Sequence, residues 1–161
     1  MSELVAYHEA GHAFTALQLG ARVLSLTIDP DCDDGPQRYG DAEIAWAEAE
    51  FSGEDLNKRT ILVALAGPVA EMIHTGDPFH PAMVAEWAQD WRLAWHAAAS
   101  KFPDQRRRMD YLEQTSIDLY HRLSNDEQWS AIAVLVDHLL AHETLDEEQI
   151  LEIVGDWLSL W

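Results

Sequence analysis

A chain of 161 residues, 48% of them hydrophobic, is long enough to close one core without disulfide staples. Its 10 basic and 29 acidic residues leave a formal charge of −19, which repels phosphate backbones and anionic lipid and argues against nucleic-acid or membrane-surface roles. Cys32 is the only cysteine, which excludes an intramolecular disulfide. With no run of about 18 apolar residues and no signal-peptide pattern, a cytoplasmic protein without membrane insertion is expected.

Ser2 is placed to cap a helix from Glu3 to about Leu19, where apolar residues recur at helical spacing and Gly20 supplies the stop. Arg22 to Asp29 reads as a strand, with Val23, Ser25 and Thr27 alternating against Leu24, Leu26 and Ile28, and Pro30 ends it. Asp31 to Gly40 is turn chemistry. Tyr39 to Ala47 suits a second strand, although the Ala and Glu content of Ala42 to Phe51 also suits a helix. From Gly53 onward everything looks helical. The expected segments are Ser52 or Gly53 to Ile73, Pro81 to Lys101, Asp104 to Leu123, Asp126 to His142 and Asp146 to Leu158. Thr75-Gly76-Asp77-Pro78, Phe102-Pro103, Ser124-Asn125 and Thr144 separate them. No repeat or linker interrupts the chain. The expectation is one mainly helical α+β domain with a small sheet near its front.

The chemistry concentrates in His8-Glu9-Ala10-Gly11-His12. Helical positions i and i+4 share a face, so His8 and His12 turn their imidazoles the same way and can share a cation. Glu9 stands beside that face, where a carboxylate serves as a general base. Two nitrogen ligands and a base are the physical content of the HExxH pattern. The plainer alternative is an amphipathic helix with one exposed and one core histidine. A catalytic zinc takes a third protein ligand and keeps one open position. His74, Asp77, His80, Asp90, Glu71 and Glu86 are candidates among which spacing does not choose.

Leu4-Val5-Ala6-Tyr7-His8-Glu9-Ala10-Gly11-His12-Ala13 resembles the start of the peptidase domain of FtsH-type AAA+ zinc proteases. Leu65-Ala66-Gly67-Pro68-Val69-Ala70-Glu71 is similar to that family's Leu-Gly-Ala-Glu helix. Ala88-Gln89-Asp90-Trp91-Arg92-Leu93-Ala94 is similar to its third-ligand segment, an aspartate followed four residues later by a small residue. Leu139 to Asp146 resembles its leucine-rich helix and "ETLD" turn. The resemblance therefore runs through nearly the whole chain in the family's order. It implies a zincin-like metallopeptidase domain spanning residues 1–161, with the HExxH helix and small sheet in 1–80 and the third ligand in 81–161. It implies Zn2+ bound by His8, His12 and Asp90, with Glu9 as catalytic base. Glu71 is expected one layer out, accepting the distal N–H of a ligand histidine, or else to be a capping or solvent-facing glutamate.

There are departures from the family. No GxxxxGK[ST] loop and no membrane anchor occur in these residues, Pro68 replaces the family's second glycine, and Ala85-Glu86-Trp87-Ala88-Gln89 replaces its Thr-Gly-Ala-Asn run. The expected activity is thus ATP-independent hydrolysis of peptides or unfolded segments, with a homo-oligomer or a separate ATPase left open as partners. The alternatives are an inactive peptide-binding or scaffolding module and a zinc hydrolase with a non-peptide substrate. The chain starts close to its motif, which suits either a small complete protein or an excised domain.

Four other features carry plainer readings. Asp29 to Gly35 fails as a calcium loop, because Asp34 falls where the turn glycine belongs, and reads as a solvated acidic turn. Trp87, Trp91 and Trp95 form an i, i+4, i+8 stripe suited to helix packing. Arg106-Arg107-Arg108 reads as solvated or paired with nearby carboxylates. Trp157 and Trp161 hint at packing onto a neighbouring subunit.

Overall fold

The computed structural model describes residues 2–29, 41–78 and 80–158. Its elements are α1 (Ser2–Gln18), β1 (Arg22–Thr27), β2 (Asp41–Ala45), α2 (Gly53–Thr75), α3 (Ala88–Ala98), α4 (Gln105–Leu123), α5 (Asp126–His142), β3 (Thr144–Asp146) and α6 (Glu147–Val154). Short 3-10 turns occupy Pro81–Met83, Ala85–Trp87 and Gly155–Trp157. The architecture is α+β and mainly helical, as expected. No helix among the described residues is long and apolar enough to cross a membrane.

Helix α1 begins at Ser2, whose side chain is outside the described atoms, and stops where Gly20 adopts φ 94° and Ala21 N–H reaches Ala16 O at 2.9 Å. Gly76, at φ 76°, ends α2 in the same way. The side chains of Asp104 and Asn125 cap α4 and α5, and Asp146 with Gln149 forms a capping box on α6. These caps explain why the helix boundaries were readable from turn chemistry.

Three expectations need correction. Helix α3 starts at Ala88 rather than Pro81, because residues 81–87 wind into two separate 3-10 turns interrupted by the extended Val84. The region after Gly53 is not wholly helical. Thr144–Asp146 adds a third strand, giving the antiparallel order β2-β1-β3 with Leu145 paired to Leu26. Finally, β1 does not alternate strictly. Its register to β2 shifts between Val23 and Ser25, so Val23 and Leu26 are both buried. The strand-ending Pro30 and the expected turn at Asp31 to Gly40, with Cys32, Tyr39 and most of the acidic stretch, lie outside the described residues, as does Trp161.

The core forms where α1 lies against α2. Their contacts run in reverse order, from Glu3–His74 through His8–Glu71 to His12–Val63, so the helices are antiparallel. At Gly11 they nearly touch: a Cβ there would sit 2.6 Å from Ala66 O and 2.7 Å from Ala70 Cβ. Ala10, Ala13, Ala66 and Ala70 extend this small-residue contact, and Phe14, Leu65, Leu135 and Leu139 fill the surrounding interior. Burying each of the larger side chains contributes roughly 1.5–3 kcal/mol. The close approach of α1 and α2 is what sets the position of the histidines.

Candidate metal centre

His8 and His12 project from α1 one turn apart, their Nε2 atoms 3.0 Å from each other. Asp90, in the first turn of α3, brings Oδ2 to 2.8 Å from His8 Nε2 and Oδ1 to 3.4 Å from His12 Nε2. Among the described residues these are the three side chains that converge as a metal-ligand group, all donor atoms lying within 4.8 Å. Four-coordinate zinc with bonds of about 2.0–2.1 Å separates its donors by about 3.3 Å, so the spacing fits such an ion.

The proton inventory points the same way. His12 Nδ1 donates to Val63 O at 2.7 Å, and His8 Nδ1 donates to Glu71 Oε2 at 2.6 Å. A backbone carbonyl can only accept, and so can an ionised carboxylate, so each ring carries its proton on Nδ1 when neutral. Both Nε2 lone pairs then face each other and the anionic Asp90. A cation satisfies all three at once. In the metal-free protein protons must do so. Burial pulls the His8 pKa down, but hydrogen bonds to Asp90 and Glu71 outweigh it and lift the value to about 10. Burial likewise pulls on His12 until Asp90 more than compensates, leaving it raised. Burial pushes Asp90 upward, yet His12 and His8 hold its carboxyl well below the usual carboxylate range.

Glu9 is 8% exposed. Burial raises its pKa, against the opposing pull of His12 and His8, and Asp90 and Asp41 add to the rise.

Two glycines make the room. A Cβ on Gly67 would overlap His12 Nε2 and stand 2.6 Å from Cε1 and 2.9 Å from Cδ2. Pro68, the departure noted in the sequence, is buried inside α2 one residue beyond this contact. The residue that faces the imidazole is still glycine.

The other third-ligand candidates lie elsewhere. His74 stacks on Tyr7 with centroids 4.0 Å apart and reaches Glu3 at 3.3 Å. His80 packs its edge against Trp91 and lies 3.8 Å from Glu113. Asp77 and Glu86 are exposed beside a separate cavity. Glu71 occupies the outer position expected of it, on the distal nitrogen of His8.

Sequence reasoning missed Trp87. The expected tryptophan stripe is broken, because Trp87 belongs to the 3-10 turn ahead of α3 while Trp91 and Trp95 ride on the helix. Trp87 is 5% exposed and donates its indole N–H to Glu71 Oε2 at 2.5 Å. A buried indole needs an acceptor, and that need was the available signal. Trp91 and Trp95 have the expected packing role, with Arg108 lying 4.5 Å over Trp95. Arg108 also donates to the carbonyls of Phe102 and Pro103, while Arg106 and Arg107 are exposed.

No protein-family model matches this chain, and no curated protein matches it either.

Proposed function

We propose that this domain is a zinc-dependent, zincin-like metalloendopeptidase of the FtsH peptidase type, acting on peptides or unfolded segments. The observation that carries the reading is the convergence of His8, His12 and Asp90 with both ring tautomers set by acceptors behind them. The sequence resemblance to that family, which selects the same residues, supports it independently.

The donor set, two imidazoles and one carboxylate, is of the kind that catalytic zinc sites use. A zinc ion held there supplies Lewis acidity toward a carbonyl oxygen and toward water. Glu9, buried on α1 beside the two histidines, would accept the proton of the attacking water and pass it to the leaving amine. Glu71 fixes the His8 ring, and Trp87 fixes Glu71. Strand β2 is an outer strand of the sheet, and an extended substrate added to it would lie antiparallel or parallel to its backbone with little sequence preference. The single cysteine fits a reducing cytoplasm.

The test is Glu9→Gln. Elemental analysis should show zinc retained at one equivalent, while cleavage of an unfolded protein falls by about 10²–10⁴-fold. Undiminished turnover, or hydrolysis that survives complete removal of metal by a chelator, contradicts the proposal.

A further inference from the structure

A cavity of about 410 Å³ opens beside the metal centre, and Glu71 forms part of both. Leu4, Met83, Val84 and Trp87 give it apolar walls. Asp77 and Glu86 add carboxylates, both exposed. Among the described residues no Lys, Arg or His lines it, and no cationic side chain pairs with either acid. Glu71 directs both of its hydrogen bonds, from His8 and Trp87, onto Oε2. Its other oxygen has no hydrogen-bond partner among the described residues.

Apolar walls with uncompensated acids at their margins match one kind of side chain. Lysine and arginine carry a long hydrocarbon stem and a cationic head, so stem and head are both satisfied. A purely aliphatic side chain would cover Met83 and Val84 but leave the carboxylates without counter-charge. An acidic one would be repelled.

We infer that this cavity is a side-chain subsite selecting a lysine or arginine of the bound peptide, next to the scissile bond. The inference rests on the peptidase reading. It adds a specificity that the sequence-tolerant pairing along β2 does not supply.

The experiment uses two fluorescent peptides that carry no other charge and differ at one position, lysine against norleucine, which has a similar stem without the charge. Binding is measured by anisotropy to zinc-loaded Glu9→Gln protein at physiological salt, and cleavage of the same peptides by the wild type is followed in parallel. The lysine peptide should bind about tenfold more tightly. Adding Asp77→Asn and Glu86→Gln, both at exposed positions, should reduce that advantage to less than about twofold. Neutralising two charges out of an excess of 19 leaves the general field almost intact, so the collapse identifies the cavity itself. Equal or tighter binding of norleucine overturns the subsite, as does a lysine preference that survives the double substitution. If the wild type cleaves neither peptide, the peptidase reading fails, and the binding comparison still decides the subsite. If it cleaves both and binds them alike, only the subsite falls.

Discussion

The two sides of the candidate metal centre are built differently. The histidine side is set into the α1–α2 contact, where Gly11 and Gly67 let backbones and rings approach to the limit of packing and where Ala10, Ala66 and Ala70 are fully buried. The aspartate side follows residues 81–87, two 3-10 turns with Met83 81% exposed, before α3 begins two residues ahead of Asp90. One side is held by close packing. The other packs α3 onto the core through the buried Ala94 and Ala98, with Trp87 donating its indole N–H to Glu71 ahead of it. The difference teaches that affinity for the ion and access to it are divided between two walls. Substitutions on the packed wall should disturb fold and metal together, and those on the more exposed wall should disturb the metal more than the fold.

The largest effect is expected at Gly67→Ala. The added methyl must displace the His12 ring or part the helices, so zinc affinity should fall by about 100-fold or more, with about 1–3 kcal/mol lost in stability. Competitive chelator titration and denaturant unfolding measure the two losses. Retained affinity would show that the wall yields more easily than its packing implies.

Asp90→Ala comes next. Zinc affinity should fall about 100-fold, and the metal-free protein should lose about 1–3 kcal/mol near neutral pH, because Asp90 is the counter-charge of His8 and His12. Unchanged zinc affinity would remove Asp90 from the ligand set.

Glu71→Gln and Trp87→Phe act through the His8 ring and should each weaken zinc binding by about 10–100-fold and about 10-fold respectively. Because Trp87 reaches the metal only through Glu71, the double variant should be little worse than Glu71→Gln alone. Additive losses would break that chain of contacts.

The smallest effect is on the pH profile of metal-free stability. His8 is raised from 6.5 to about 10 on folding, so the folded state holds its proton more tightly. That contribution is complete below about pH 6.5 and is lost as pH rises toward 10. The thermal midpoint of the metal-free protein should therefore decline across this interval, and saturating zinc should remove the decline. Equal alkaline slopes with and without zinc would contradict the assignment.

The same division governs what could be read from the chain. His8, Glu9 and His12 share one helix, so a fixed spacing exposes them, and the bounds of α5 follow from Ser124-Asn125 before it and Thr144 after it. Asp90 joins them through tertiary packing. No local periodicity encodes that, and only a resemblance in motif order singled it out. Strand β3 has three residues, too few for alternation to register, and its pairing with β1 depends on Glu143 turning the chain at φ 64°. The 81–87 segment looked helical because its composition is helical. The extended Val84 breaks it, placing Trp87 against Glu71 rather than on a continuous face with Trp91. The bulge in β1 is likewise a property of the pairing and not of the strand's own sequence.

The central claim is that His8, His12 and Asp90 hold one metal ion. Anomalous diffraction at the zinc edge from crystals of protein loaded with one equivalent of zinc tests it most directly. A single strong peak within about 2.0–2.2 Å of His8 Nε2, His12 Nε2 and an Asp90 oxygen is the predicted result. An ion bound elsewhere, or one held by the two histidines with Asp90 out of reach, would contradict it.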